Sequence, residues 1–180
     1  CASVGLKRRL IPKICAGEAI LAVSMSEPDA GSALTDLRTR ARKRDDGKIV
    51  LDGTKRWCSG AGHADYYLVY CRMSDEPGAR GVGAVVAAKD SDGLSFGPQE
   101  KLMGFRGIPS ADMTCENVVV DADDVVVEAG GFRKLMEAFD LERCGNATMS
   151  LAIATAAFED VLTYVQERKQ FGKELVDFQA

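Results

Sequence analysis

Leu37-Arg38-Thr39-Arg40-Ala41-Arg42 alternates apolar or small side chains with arginines, and runs on into Asp45-Asp46-Gly47, Ile49-Val50-Leu51 and Asp52-Gly53. A period of two is the pattern of a strand with one buried face. Asp-Asp-Gly and Asp-Gly are turn sequences, because glycine takes the positive φ that tight turns need. The stretch therefore predicts strand, turn, strand, turn. The same texture continues downstream, with candidate strands at Tyr66–Cys71, Val82–Ala88, Leu94–Phe96 and Met113–Val120. Short strands at fairly regular spacing, with turn residues between them, predict an antiparallel sandwich or barrel rather than βαβ units.

Helical signals flank this region. Upstream, Leu6, Leu10, Ile11 and Ile14 are close to helical spacing, with Pro12 marking a helix end. Gly17 breaks the chain, Ala19–Met25 reads as extended, and Glu27-Pro28-Asp29-Ala30-Gly31-Ser32 is a loop. Downstream the texture changes at Gly130-Gly131. From Phe132 to Lys169 there is no proline and a single glycine, Gly145, while Leu135, Phe139, Met149, Ile153, Val161, Leu162 and Val165 recur at roughly helical intervals. One long helix is expected, Ala-rich from Ala147 to Ala157 and ended by Gly172. The fold class is thus multidomain α+β: an antiparallel β-barrel or sandwich followed by a long helix of an incomplete helical bundle. Both ends read as cut, since the chain opens on Cys1 and stops without a helix stop signal.

The 180 residues carry a net charge of −4, which gives no reason to expect nucleic acid or an anionic membrane as partner. The basic runs Lys7-Arg8-Arg9 and Arg38 to Arg44 read as solvated faces. Neither a signal peptide nor an apolar run long enough to span a bilayer is present. Six cysteines (Cys1, Cys15, Cys58, Cys71, Cys115, Cys144) form no C-x-x-C pair, and His63 is the single histidine, so zinc-type spacing is absent and no metal is expected. Such cysteines read as reduced, half-buried thiols of an intracellular protein. Gly60-Ala61-Gly62-His63-Ala64-Asp65 begins like a dinucleotide fingerprint, but Asp65 holds the third glycine position and strands surround it. His63, with no evident nucleophile beside it, reads as a turn residue.

Four further segments act together: Met25-Ser26-Glu27-Pro28-Asp29-Ala30-Gly31-Ser32, Lys55-Arg56-Trp57-Cys58-Ser59-Gly60, Phe139-Asp140-Leu141-Glu142-Arg143, and Gln166-Glu167-Arg168-Lys169-Gln170-Phe171-Gly172-Lys173. Their order and spacing resemble the acyl-CoA dehydrogenase family. The likeness covers essentially the whole chain, and Leu10-Ile11-Pro12-Lys13 with Gly17-Glu18 resembles the end of that family's N-terminal helical domain. It implies three parts: 1–18 ending the N-terminal helical domain, 19–129 the middle β-domain, and 130–180 the start of the C-terminal helical domain.

The resemblance implies FAD as cofactor and an acyl-CoA as substrate. In that chemistry a carboxylate removes the proton α to the thioester carbonyl, the β-hydrogen leaves as hydride to flavin N5, and electrons pass to an electron-transfer flavoprotein. Val23, Met25, Ser26, Trp57, Cys58 and Ser59 fall on the flavin side. Backbone N–H groups and the Ser26 hydroxyl would meet the pyrimidine edge, Trp57 would pack on the ring, and Ser59 would stand beside N5. Cys58 stands where an aliphatic residue is common. Alone, Trp57 reads as core. Ser32, Asp140 and Arg143 match substrate-side positions; by themselves Asp140 and Arg143 are an ordinary i, i+3 surface pair. Arg168, Phe171 and Gln179 match positions that bind the adenosine diphosphate half of FAD on a neighbouring subunit, implying a homodimer or homotetramer.

Glu142 matches the helix position that holds the base in isovaleryl-CoA and long-chain members, and a dry pocket would give it the basicity that proton abstraction needs. Two readings stand: Glu142 is the base, or Glu142 is a solvated or Arg-paired residue and the base lies beyond residue 180. Departures from the pattern are Ala33, where an aspartate is usual, and Ile108-Pro109 after Gly104-Phe105-Arg106-Gly107. An oxygen-using oxidase or monooxygenase of the same fold, and a β-domain module inactive as it stands, are the competing functions. A bacterial cytoplasm or mitochondrial matrix is the expected location.

Overall fold

The computed structural model describes residues 2–179, which leaves Cys1 and Ala180 outside the described residues. The chain forms two compact units, the first ending at Leu135 and the second beginning at Met136.

The first unit holds helix α1 (Val4–Cys15) and strands β1 (Leu21–Ser24), β2 (Arg40–Lys43), β3 (Ile49–Ser59), β4 (Tyr66–Arg72), β5 (Val82–Ala88), β6 (Leu94–Phe96), β7 (Ser110–Val120) and β8 (Val125–Val127). They make one open eight-stranded sheet in the order β6-β7-β3-β2-β4-β5-β8. The other pairings are antiparallel, but β1 lies parallel to β4 from Leu21/Tyr66 to Ser24/Val69, and β2 touches β4 in parallel at Arg40/Arg72. Leu51, Tyr67, Val69, Cys71, Val85, Met113 and Val118 fill the main core. α1 covers the other side of β4 and β5, where Leu6 and Leu10 pack with Val86. Burial of each of those leucines stabilises by about 1.5–3 kcal/mol. Val82–Ala87 is buried throughout because both sides of β5 are covered.

Pro12 lies in the last turn of α1, which ends at Cys15, and Gly17 follows with φ +73°. One expectation changes. Asp52-Gly53 is not a turn: β3 runs unbroken from Ile49 to Ser59. Between the pairs Leu51/Val118 and Gly53/Cys115, the two residues Glu116 and Asn117 of β7 oppose Asp52 alone, a bulge that Asp52 fastens by accepting the Asn117 N–H at 2.8 Å. Gly53 has φ +145°, and a Cβ there would lie 2.6 Å from Thr39 Cα.

The second unit carries most of helix α2 (Phe132–Glu167), 36 residues long, with Leu135 its one buried residue among those described. At about 1.5 Å per residue it is about 54 Å long. Leu141, Met149, Leu151, Ile153, Phe158, Val161, Leu162 and Tyr164 are all exposed. The helix ends at Glu167, ahead of the expected Gly172. Instead β9 (Lys169–Gln170) and β10 (Lys173–Glu174) form a hairpin around Phe171-Gly172. Both turn residues have positive φ, +53° and +82°, as a two-residue hairpin turn demands.

Candidate functional site

The loop after β1 is held by charge buried beneath it. Glu27 and Ala30 exchange backbone hydrogen bonds of 2.8 and 3.2 Å, closing a tight turn over Pro28-Asp29. Lys55, on β3 and fully buried, donates to Glu27 Oε1 at 2.8 Å and to the Met25 carbonyl at 3.0 Å. Glu27 also accepts the N–H groups of Arg38 (2.7 Å) and Thr39 (2.9 Å). Burial alone would raise the Glu27 carboxyl, but the Lys55 charge and these hydrogen bonds outweigh it and hold the group below its ordinary range. Burial in turn lowers Lys55, against the pull of Glu27. Acceptors at 2.8 and 3.0 Å favour the ammonium form. This pair spans two of the segments singled out in the sequence, yet nothing there marked it. The missing signal is three-dimensional, since 28 residues separate the partners.

The same strand then presents its tryptophan outward. Between the pairs Lys55/Met113 and Cys58/Ala111, the two residues Arg56 and Trp57 oppose Asp112 alone, a bulge on β3. Trp57 takes φ +58°, a conformation in which a bulky side chain is strained by about 1–3 kcal/mol. It is 51% exposed, so the core reading of Trp57 fails. Arg56 donates its N–H to the Ser26 carbonyl at 2.9 Å, which brings the β1 loop beside the bulge. Ser59, two residues along, is exposed, while Cys58 between them is buried. Ser24 Oγ lies 2.8 Å from Cys58 Sγ, and burial pushes that thiol up against the Ser24 hydrogen bond and the Lys55 charge. The Cys58 side chain therefore belongs to the core, and its backbone is in register with Ala111 on β7. Cys71 and Cys115 are buried too, pushed up to about 12 and about 11, values of inert thiols.

This outer surface suits a flavin ring. The last ladder pair of β1 is Ser24/Val69, and among the described residues no loop or turn hydrogen bond uses the N–H of Met25 or Ser26. Two donors, the Ser26 hydroxyl, an aromatic wall and the Ser59 hydroxyl are what the ring's polar edge and flat face require. Val23, half-buried, is in register with Leu68, and Ser32 is exposed farther along the loop. Beside Ser59 a cavity of about 840 Å³ opens, lined by His63, Gln99, Lys101, Met103, Arg106 and Pro109 among others. Sequence reasoning assigned nothing to it. Gly60 N–H to the Pro109 carbonyl (2.8 Å) and Gln99 Nε2 to the Ala61 carbonyl (3.0 Å) fasten its rim to the turn after β3.

The remaining candidates lie in the second unit and are exposed. Arg143 is 3.8 Å from Asp140, with both side chains about two-thirds exposed, and its guanidinium covers the Phe139 ring at 5.2 Å. Glu142 is exposed, so residues 2–179 do not enclose it in the dry pocket expected of a base. Arg168, Phe171 and Gln179 are exposed around the hairpin, Phe171 at 95%. Phe171 meets Phe178 edge-on at 6.3 Å. Among the described residues no helix is long and apolar enough to cross a membrane, and no His, Cys, Asp and Glu cluster could hold a metal ion.

The family model for the acyl-CoA dehydrogenase middle domain matches residues 22–118, and that for the acyl-CoA dehydrogenase C-terminal domain matches 129–180. A probable acyl-CoA dehydrogenase of Mycobacterium bovis is 32% identical over 97% of this chain and 45% of its own length. The mitochondrial isovaleryl-CoA dehydrogenase of Arabidopsis thaliana is 34% identical over 96% of this chain and 42% of its own. The structure of butyryl-CoA dehydrogenase from Megasphaera elsdenii superposes with a TM-score of 0.92 at 30% identity, covering 98% of this chain and 46% of that one. The chain thus spans about half the length of the curated relatives it matches.

Proposed function

The chain belongs to the acyl-CoA dehydrogenase family, and on that premise we propose that it is part of an FAD-dependent enzyme that oxidises an acyl-CoA thioester to the 2,3-enoyl-CoA. Within it, residues 1–18 end an N-terminal helical domain, 19–129 are the middle β-domain, and 130–180 open the C-terminal helical domain. When bound, FAD supplies the acceptor for the hydride that leaves the β-carbon.

The observation that carries the reading is the bulge at Trp57, an aromatic residue in a strained conformation, displayed outward beside Ser26 and Ser59. Strain of this kind persists where the surroundings over-determine it, and it clusters at ligand sites. Trp57 gives the ring a wall. The Met25 and Ser26 N–H groups, with the Ser26 hydroxyl, hold its polar edge, and the Ser59 hydroxyl donates where negative charge develops. Val23 and the Cys58 backbone complete that side. Ser32, Asp140 and Arg143 orient the CoA portion. Glu142 takes the α-proton, once the rest of the helical domain encloses it. Arg168, Phe171 and Gln179 hold the adenosine diphosphate half of FAD on a partner subunit, in a homodimer or homotetramer. An electron-transfer flavoprotein takes the electrons.

The test uses the full-length protein. Wild type and Glu142→Gln are mixed without oxygen with a panel of acyl-CoAs, and bleaching of the flavin band is followed. Bleaching by wild type but not by a flavin-loaded Glu142→Gln supports this reading with Glu142 as base. Equal bleaching moves the base elsewhere, and no bleaching of loaded wild type removes the substrate assignment.

A further inference from the structure

Arg56 is built into the outer face in a way that the flavin contacts above do not use. Its guanidinium lies over the Trp57 indole, 4.8 Å from the ring centroid. One nitrogen donates to Asp112 Oδ2 at 3.1 Å, and the other is 3.8 Å from Glu100 Oε1. Asp112 is the residue that opposes the bulge on β7. The bulge therefore carries its own brace. The strand partner's carboxylate holds the guanidinium, the guanidinium covers one face of the indole, and the indole remains half exposed. A planar fork can meet a carboxylate along its edge while stacking on an aromatic ring, which a lysine cannot do. Asp112 Oδ1 is buried without a partner, so Arg56 is also what balances that carboxylate.

We propose that Arg56 is a positioning residue: clamped by Asp112 and Glu100, it fixes the Trp57 indole in its strained outward conformation and so shapes the wall against which the flavin packs. The proposal rests on the flavin reading above. It assigns to Arg56 no contact with the flavin, only the restriction of Trp57. The pair is half-buried and solvent screens it in part, so the role shows in cofactor binding more than in folding.

The test measures FAD dissociation constants and bound-flavin fluorescence for the full-length apoprotein, with wild type, Arg56→Met, Arg56→Lys, Trp57→Ala and Arg56→Met/Trp57→Ala compared at matched thermal stability. Arg56→Met is expected to weaken FAD about tenfold and to raise flavin fluorescence, since a loosened indole quenches less. Arg56→Lys is expected to restore less than half of that loss. In the Trp57→Ala background, Arg56→Met is expected to add no further loss, because its effect runs through the indole. Additive losses in the double variant, full rescue by Arg56→Lys, or unchanged affinity in Arg56→Met would each overturn the proposal. Wild type that binds no FAD would instead overturn the flavin reading itself.

Discussion

Lys55 Nζ lies 2.8 Å from Glu27 Oε1 with both side chains buried, which ties the loop after β1 to the strand that displays Trp57. Taking away one partner strands a charge in a poor solvent. Lys55→Met is therefore expected to destabilise the protein by about 3–5 kcal/mol, and Glu27→Gln combined with Lys55→Met to recover most of it. Urea unfolding of wild type, both single variants and the double variant measures the coupling. A Lys55→Met protein as stable as wild type would show that the pair is not held as described.

The acid limb of stability follows from the same pair. Burial pushes the Glu27 carboxyl up, but the Lys55 charge and the hydrogen bonds from Lys55, Thr39 and Arg38 together hold it below its ordinary value of 4.5. A carboxyl lower in the folded state than in the unfolded state contributes stability that is full above the unfolded value. That contribution is lost as pH falls through the folded one. Unfolding free energy is therefore expected to fall more steeply below about pH 4.5 in wild type than in Glu27→Gln. Equal slopes would mean that Glu27 does not titrate with folding.

The sequence discloses the strands through period-two alternation, and the order of its four motifs discloses the family. It hides what depends on partners. Lys55 reads as an ordinary polar strand residue until β1 sets Glu27 over it. Asp52-Gly53 has the composition of a turn, and only the pairing of β3 with β7 sets it in a strand opposite a bulge. Taken alone Trp57 looks like core, and only its motif points it toward a flavin; its exposure follows from a backbone angle that no propensity records. The hairpin around Phe171-Gly172 reads in the sequence as the end of the long helix, because glycine marks helix ends and hairpin turns alike.

Gly53 tests the bulge. Its φ of +145° and the 2.6 Å approach of a Cβ to Thr39 Cα forbid a side chain on two counts. Gly53→Ala is expected to cost about 2–4 kcal/mol. Gly47→Ala, at φ +83° in open space, is expected to cost only about 1 kcal/mol. Chemical denaturation of the two variants side by side separates close packing from conformation. Equal losses would place Gly53 in an ordinary turn.

Trp57 tests whether the strain is real and whether it serves a ligand. Glycine adopts φ +58° freely and alanine does not, while both delete the indole. Unfolded-chain entropy normally favours alanine over glycine, by about 0.4–1 kcal/mol. Here the left-handed conformation penalises alanine by roughly 1–2 kcal/mol, so Trp57→Gly is expected to be the more stable by about 0.5–1 kcal/mol. FAD affinity should fall alike in both, because the wall is missing in each. Unfolding curves and FAD titrations of the two variants check both halves. If Trp57→Ala proves the more stable, the bulge relaxes without its tryptophan and the strain is not imposed by the strand. If both variants keep wild-type affinity for FAD, the exposed indole serves some other surface, and the brace at Arg56 has no flavin to shape.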